Sequence, residues 1–183
     1  MANRTFLLSN DSPGRPAEGD RNEILCAASY MIPVFWYMLF DRASVINVEV
    51  DAEDGRKVEY PYLSKPGADA ISLVNSRWNA VKRAIGHEHD ALFQTWLSYV
   101  TPKSQGYLQC ETGELWMMFD DTPTFLRHVE LCMSAFSEAL PIGQSAAWQE
   151  LLGQANAWDG AKLSPADTFS FCGYAWVAEV PWE

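Results

Sequence analysis

A single α+β domain, with a mixed or antiparallel sheet packed with about five helices, is the fold the sequence predicts, and three observations predict it. Apolar residues recur at three- and four-residue spacing through residues 66–85, 89–100 and 122–136, the signature of amphipathic helices. Residues 45–63 hold two strand-like runs around turn chemistry, and strand-like stretches also stand at both ends of the chain. No repeat, low-complexity tract or linker divides the 183 residues, so residues 1–183 read as one domain. With 48% hydrophobic, 13% aromatic and 20% charged residues, the chain can bury a substantial core.

Each element can be justified in chain order. Residues 4–8 (RTFLL) read as an opening strand, and 9–22 (SNDSPGRPAEGDRN) as a mobile loop rich in Pro, Gly and Asp. Residues 24–40 run without a charge, at the lower edge of what spans a bilayer. Pro33 stands mid-run; it lacks an amide donor and disfavours helix at Ile32, so the run divides into a strand or loop and a buried helix over 33–41. No membrane span is therefore expected. The β-branched VINVEV (45–50), the turn DAEDG and residues 56–63 predict a hairpin. Apolar positions 71, 74, 78, 81 and 85 predict a helix over 66–85 that Gly86 ends, and a second helix follows over 89–100. Thr112-Gly113, between YLQC and ELWMMF, predicts another hairpin over 107–119, with one long kinked strand as the alternative. Thr122-Pro123 opens a helix with a broad apolar stripe ending before Pro141. Residues 145–158 predict one more helix, and TFSFCGYAWVAEV (168–180) a sheet-internal strand.

Charge narrows the function classes. The net charge of -11 opposes binding to nucleic acid or anionic lipid, which begins with clustered Lys and Arg. The negative charge is uneven: residues 1–91 hold 10 basic and 13 acidic residues, residues 92–183 hold 3 and 11. Such a field either keeps the protein dispersed or matches a basic partner. Residues 1–20 contain only Phe6-Leu7-Leu8 as an apolar stretch, which predicts no export signal and a cytoplasmic protein. Cys26, Cys110, Cys132 and Cys172 lack redox or zinc spacing and read as reduced structural thiols.

Catalytic motifs are sparse, and no catalytic residue, metal or cofactor is expected. No P-loop, GxGxxG or GxSxG occurs. His87 and His89 are two apart at a helix junction and point to different sides, so the sequence there reads as an exposed polar helix start. Asp51, Glu53 and Asp54 before Gly55 resemble half a calcium loop, yet Pro61 stands where its closing Glu is needed. His128 and Cys132, four apart on one helix, are explained by packing. Most of the eight tryptophans should be core, with Trp182 partly exposed. Asp120 and Asp121, ahead of Thr122-Pro123, suit a helix N-terminus, which accounts for one of them and leaves the other for a partner.

The opening MANRTFLLS, followed after the loop by Ile32-Pro33-Val34-Phe35-x-x-x-Leu39, resembles small bacterial immunity proteins of polymorphic-toxin and type VI secretion loci. The likeness covers about forty N-terminal residues. It implies a cytoplasmic protein that binds and neutralises a cognate toxin domain, with no catalytic residues to carry over. A toxin acting on nucleic acid or nucleotides needs a basic cleft, which carboxylates can occupy. Glu111, Glu114, Asp120 and Asp121 are the expected toxin contacts. Two alternatives stay open: a small enzyme using His128 with Asp120 or Asp121, and a structural or adaptor homodimer joined through residues 30–40.

Overall fold

Side chains alternate across a strand, so a sheet with one apolar and one mixed face must cover the two faces differently. The computed structural model describes residues 3–51, 55–137, 145–156, 167–177 and 179–183. Five strands, β1 (Arg4–Asn10), β2 (Asn22–Ser29), β3 (Val45–Asp51), β4 (Lys57–Pro66) and β5 (Tyr107–Glu111), form one antiparallel sheet in the order β2-β1-β5-β4-β3. β5 lies between two hairpins, with Cys110 opposite Leu7 on one side and Leu63 on the other. Seven α-helices occur among the described residues: α1 (Val34–Tyr37), α2 (Gly67–Ile85), α3 (Asp90–Val100), α4 (Gly113–Trp116), α5 (Thr122–Ser134), α6 (Ala146–Asn156) and α7 (Thr168–Cys172). The molecule is a single α+β domain.

Leu7, Leu63, Leu108 and Cys110 belong to the main core with Val74, Phe93, Trp96, Phe125, Val129, Trp148 and Phe171. At its centre sits α1. The ring of Phe35 lies 5.2 to 6.0 Å from those of Trp78, Phe93, Trp96 and Phe171, and residues 31–40 are all buried. A helix this short leaves its last carbonyls without intrahelical donors. Arg77 of α2 supplies one: its Nη1 donates to the carbonyls of Met38 and Phe40, at 3.0 and 2.5 Å.

The other face carries a smaller cluster, Leu8, Val48, Tyr60 and Tyr62, under Phe6, Ile46 and Trp116. Buried Gln109 organises the polar part of this face. Its Nε2 donates to the carbonyls of Ser12 and Gly14, and its Oε1 accepts from Asn10 and from the hydroxyl of Tyr62. Residues 11–21 are thereby tied over the sheet, while Ser9 and Asn10, expected in the loop, are buried residues of β1.

Five expectations need correction. The 107–119 hairpin is β5 followed by α4: the carboxylate of Glu111 accepts from Gly113 N, and the carbonyl of Thr112 accepts from Trp116 N, so Thr-Gly opens a helical turn. The closing strand is α7, bracketed by Asp167, which caps Ser170 N, and by Gly173 at φ 77°. Among the described residues of this stretch, only Tyr174 pairs with the sheet, through an isolated bridge to Ala27. A Cβ on Gly173 would lie 2.5 Å from the carbonyl oxygen of Ala27, so glycine is required there. His89 is buried against Phe171 rather than exposed. Of residues 30–40, the stretch expected to join a homodimer, 31–40 are buried by the fold and Tyr30 is half-buried. The helix expected over 33–41 is confined to α1, and Trp158, Glu53 and Asp54 lie outside the described residues. No helix of the described residues is long and apolar enough to cross a membrane.

Candidate functional site

Among the described residues, large apolar side chains reach the surface in two places. One is Met117 and Met118, 65% and 48% exposed; the other is Trp176 and Val177, 38% and 68% exposed. Each lies beside carboxylates, and the N-terminus of β1 connects them. The backbone N–H of Arg4 donates to Glu114 Oε2 at 2.8 Å, while its guanidinium lies 4.4 Å from the centre of the Trp176 ring. Phe6 meets the same ring edge-on at 5.2 Å. α4 packs on β1 and β4, with Trp116 stacked on Tyr60 at 5.9 Å.

The four expected contact residues all fall on this segment, with different duties. Glu111 is held by Gly113 N and by the Tyr60 hydroxyl at 3.0 Å. Burial and the neighbouring Glu111 charge raise the Tyr60 phenol well above its usual range, so Tyr60 stays a hydrogen-bond donor. Glu114 holds Arg4. Asp121 caps α5 by accepting from Thr124 N at 2.7 Å, and this contact with Thr124 keeps its carboxyl below the usual carboxylate range. Asp120 is exposed and, among the described residues, makes no hydrogen bond or ion pair. Of the pair, Asp121 therefore serves the helix start and Asp120 stands exposed.

Sequence reasoning missed the second half of this surface. A pocket of about 350 Å³ is lined by Ala175, Trp176, Val177, Glu179, Val180 and Glu183. Assigning 168–180 to a sheet interior hid it, although the exposed carboxylates that end the chain segment were a visible signal of a solvent-facing edge.

His128 has a catalytic-looking environment that does not equip it for catalysis. Its Nδ1 lies 2.7 Å from Glu150 Oε1 and its Nε2 4.0 Å from Cys132 Sγ, the connectivity of a nucleophile, base and orienting carboxylate. Cys132 is fully buried and sits in the last turn of α5, where the helix dipole disfavours a thiolate. His128 is thus paired with Glu150 rather than with Asp120 or Asp121. The four cysteines are buried and none is in a disulfide. Burial raises the thiols of Cys26, Cys110 and Cys172 above their ordinary range, which suppresses reactivity. Among the described residues, no group of three or more His, Cys, Asp or Glu is placed to hold a metal ion.

A second pocket, of about 440 Å³, lies between Asp41, Arg42, Arg77 and Glu130. Its charged groups are already engaged: Lys65 pairs with Asp41 at 2.7 Å, Arg42 with Glu130 at 3.1 Å, and Arg77 donates to the carbonyls of Met38 and Phe40.

No protein-family model matches the chain, and neither does any curated protein or solved structure.

Proposed function

We propose that the chain is a cytoplasmic immunity protein that binds and neutralises a bacterial toxin domain, one acting on nucleic acid or nucleotides through a basic cleft. The observation that carries this reading is the α4 segment. Met117 and Met118 stand open to solvent between Glu111 and Glu114 on one side and Asp120 and Asp121 on the other. Exposed methionines adapt to varied apolar surfaces, and carboxylates around them favour encounter with a basic one. The uneven charge of the chain and the resemblance of its first forty residues to immunity proteins support the same reading.

The experiment is co-expression with the toxin domain encoded beside the gene, scored by growth, followed by binding kinetics at two salt concentrations. Wild-type protein restores growth and binds. Asp120→Lys slows association and weakens its salt dependence, and Asp120→Lys with Asp121→Lys lowers affinity roughly tenfold to a thousandfold. Because Asp121 also caps α5, Asp121→Asn, which keeps a cap, separates charge from helix stability. Lack of rescue by the wild-type protein overturns the reading.

A further inference from the structure

We infer that the pocket at Trp176 is a receptor for an arginine side chain presented by a partner protein. The inference rests on the reading of a basic partner and adds the chemistry of one contact. The pocket combines the three things a guanidinium needs. The first is an aromatic ring partly open to solvent, Trp176, since cations are drawn to the face of an indole. The second is negative charge: among the described residues Glu179 and Glu183 line the pocket, while the guanidinium of Arg4 lies over the Trp176 ring and is not among the lining residues. The third is an apolar wall for the methylene stem, which Val177 and Val180 provide.

The molecule already displays this recognition in cis. The guanidinium of Arg4 lies 4.4 Å from the Trp176 ring centre, and Phe6 fixes the ring from its edge. Trp176 is thus positioned by packing before any partner arrives, which lowers the ordering cost of binding. One carboxylate is also positioned: Glu183 Oε1 accepts from the backbone N–H of Ala175 at 2.9 Å. A planar guanidinium suits such a site better than an ammonium, because it can stack on the indole while directing N–H groups sideways to carboxylates. Charge complementarity selects the occupant: a chain of net charge -11 that leaves an aromatic pocket lined by two carboxylates excludes acidic ligands and favours a cationic side chain.

The test uses the full chain labelled with ¹⁵N and the peptide acetyl-Gly-Arg-Gly-amide, with the citrulline peptide as its uncharged isostere. The Trp176 indole N–H signal, assigned with Trp176→Leu, should shift with the arginine peptide at a dissociation constant of about 1–10 mM, the range of a single exposed cation–aromatic contact. The citrulline peptide should leave it in place. Glu179→Gln with Glu183→Gln keeps the acceptor for Ala175 N while removing both charges, and should weaken binding about tenfold. The indole signals of the core tryptophans report that this variant is folded. An unmoved Trp176 signal at arginine peptide concentrations tenfold above that range, or an equal shift with citrulline, overturns the inference. The peptide requires no toxin, so its failure removes this site alone, whereas failure of growth rescue removes the wider reading.

Discussion

Two four-residue helices draw on the same side-chain vocabulary and meet opposite fates. α1 sits within MIPVFWYMLF and is enclosed on all sides; α4 sits within GELWMMF and leaves two methionines in water. Their surroundings explain the difference. The α1 run carries no charge, and its carbonyls are satisfied by a buried arginine from another helix, so it can be withdrawn from water without leaving polar groups unmatched. Glu111, Glu114, Asp120 and Asp121 flank the α4 run, and burying Met117 and Met118 would drag those carboxylates inward. Apolar content thus decides whether a segment seeks cover, while the charges beside it decide whether the fold supplies that cover.

The comparison can be broken most forcefully in the core. Trp36→Ala should cost about 3–5 kcal/mol in denaturant unfolding, because it opens a cavity at a fully buried position and the indole N–H to Cys172 O bond is lost as well. A loss below about 1 kcal/mol would mean that α1 is not the centre of the core. Arg77→Met comes next. It orphans buried carbonyls at the end of α1, each worth roughly 1–3 kcal/mol, and should lower stability by about 2–4 kcal/mol.

Gln109→Leu should have a smaller thermodynamic effect, about 1–3 kcal/mol, and a local signature. Amides of residues 11–21 should lose protection from hydrogen exchange while those of β3 keep theirs, because the tie over the sheet is gone. Unchanged exchange there would show that the loop is held by other contacts.

Acid supplies a gentler perturbation. Burial alone would raise the Asp41 carboxyl, but the Lys65 ammonium and the Ser44 hydroxyl overcome it and hold the group below its usual range. A depressed folded-state value means that the contribution is present above the ordinary carboxylate value of about 3.9 and is lost as pH falls through the folded value. Lys65→Met should therefore destabilise near neutral pH and flatten the acid limb of the pH–stability curve. A parallel downward offset at every pH would contradict the linkage.

Much of the scaffold could be read directly. The hairpin over 45–63 and the helix ended by Gly86 follow from periodicity and turn chemistry, and Pro33 correctly divided a run long enough to suggest a membrane. The errors have one physical origin. In 107–119 and 168–180, aromatic and β-branched residues outweighed helix-terminal signals: Glu111 and Glu114 around Thr112-Gly113, and Asp167 with Gly173 around α7. A one-turn helix needs only caps and a hydrophobic seat, and the seat is a tertiary fact that no window of sequence contains. His89 shows the same limit. Its neighbours in sequence are polar, and only the packing of α7 places Phe171 over its ring. The acidic character of residues 111–121 is legible from the sequence, whereas their connection to Trp176 passes through Arg4, a residue 172 positions away from Trp176 in the chain.

The claim that α4 is covered by a partner rather than by the fold is tested most directly by measuring stability and toxin binding on one variant, Met117→Ser with Met118→Ser. Unfolding free energy should stay within about 0.5 kcal/mol of the wild type, since both side chains already stand in water, while the toxin dissociation rate rises at least about tenfold. A variant that loses stability yet binds the toxin as the wild type does would contradict the account.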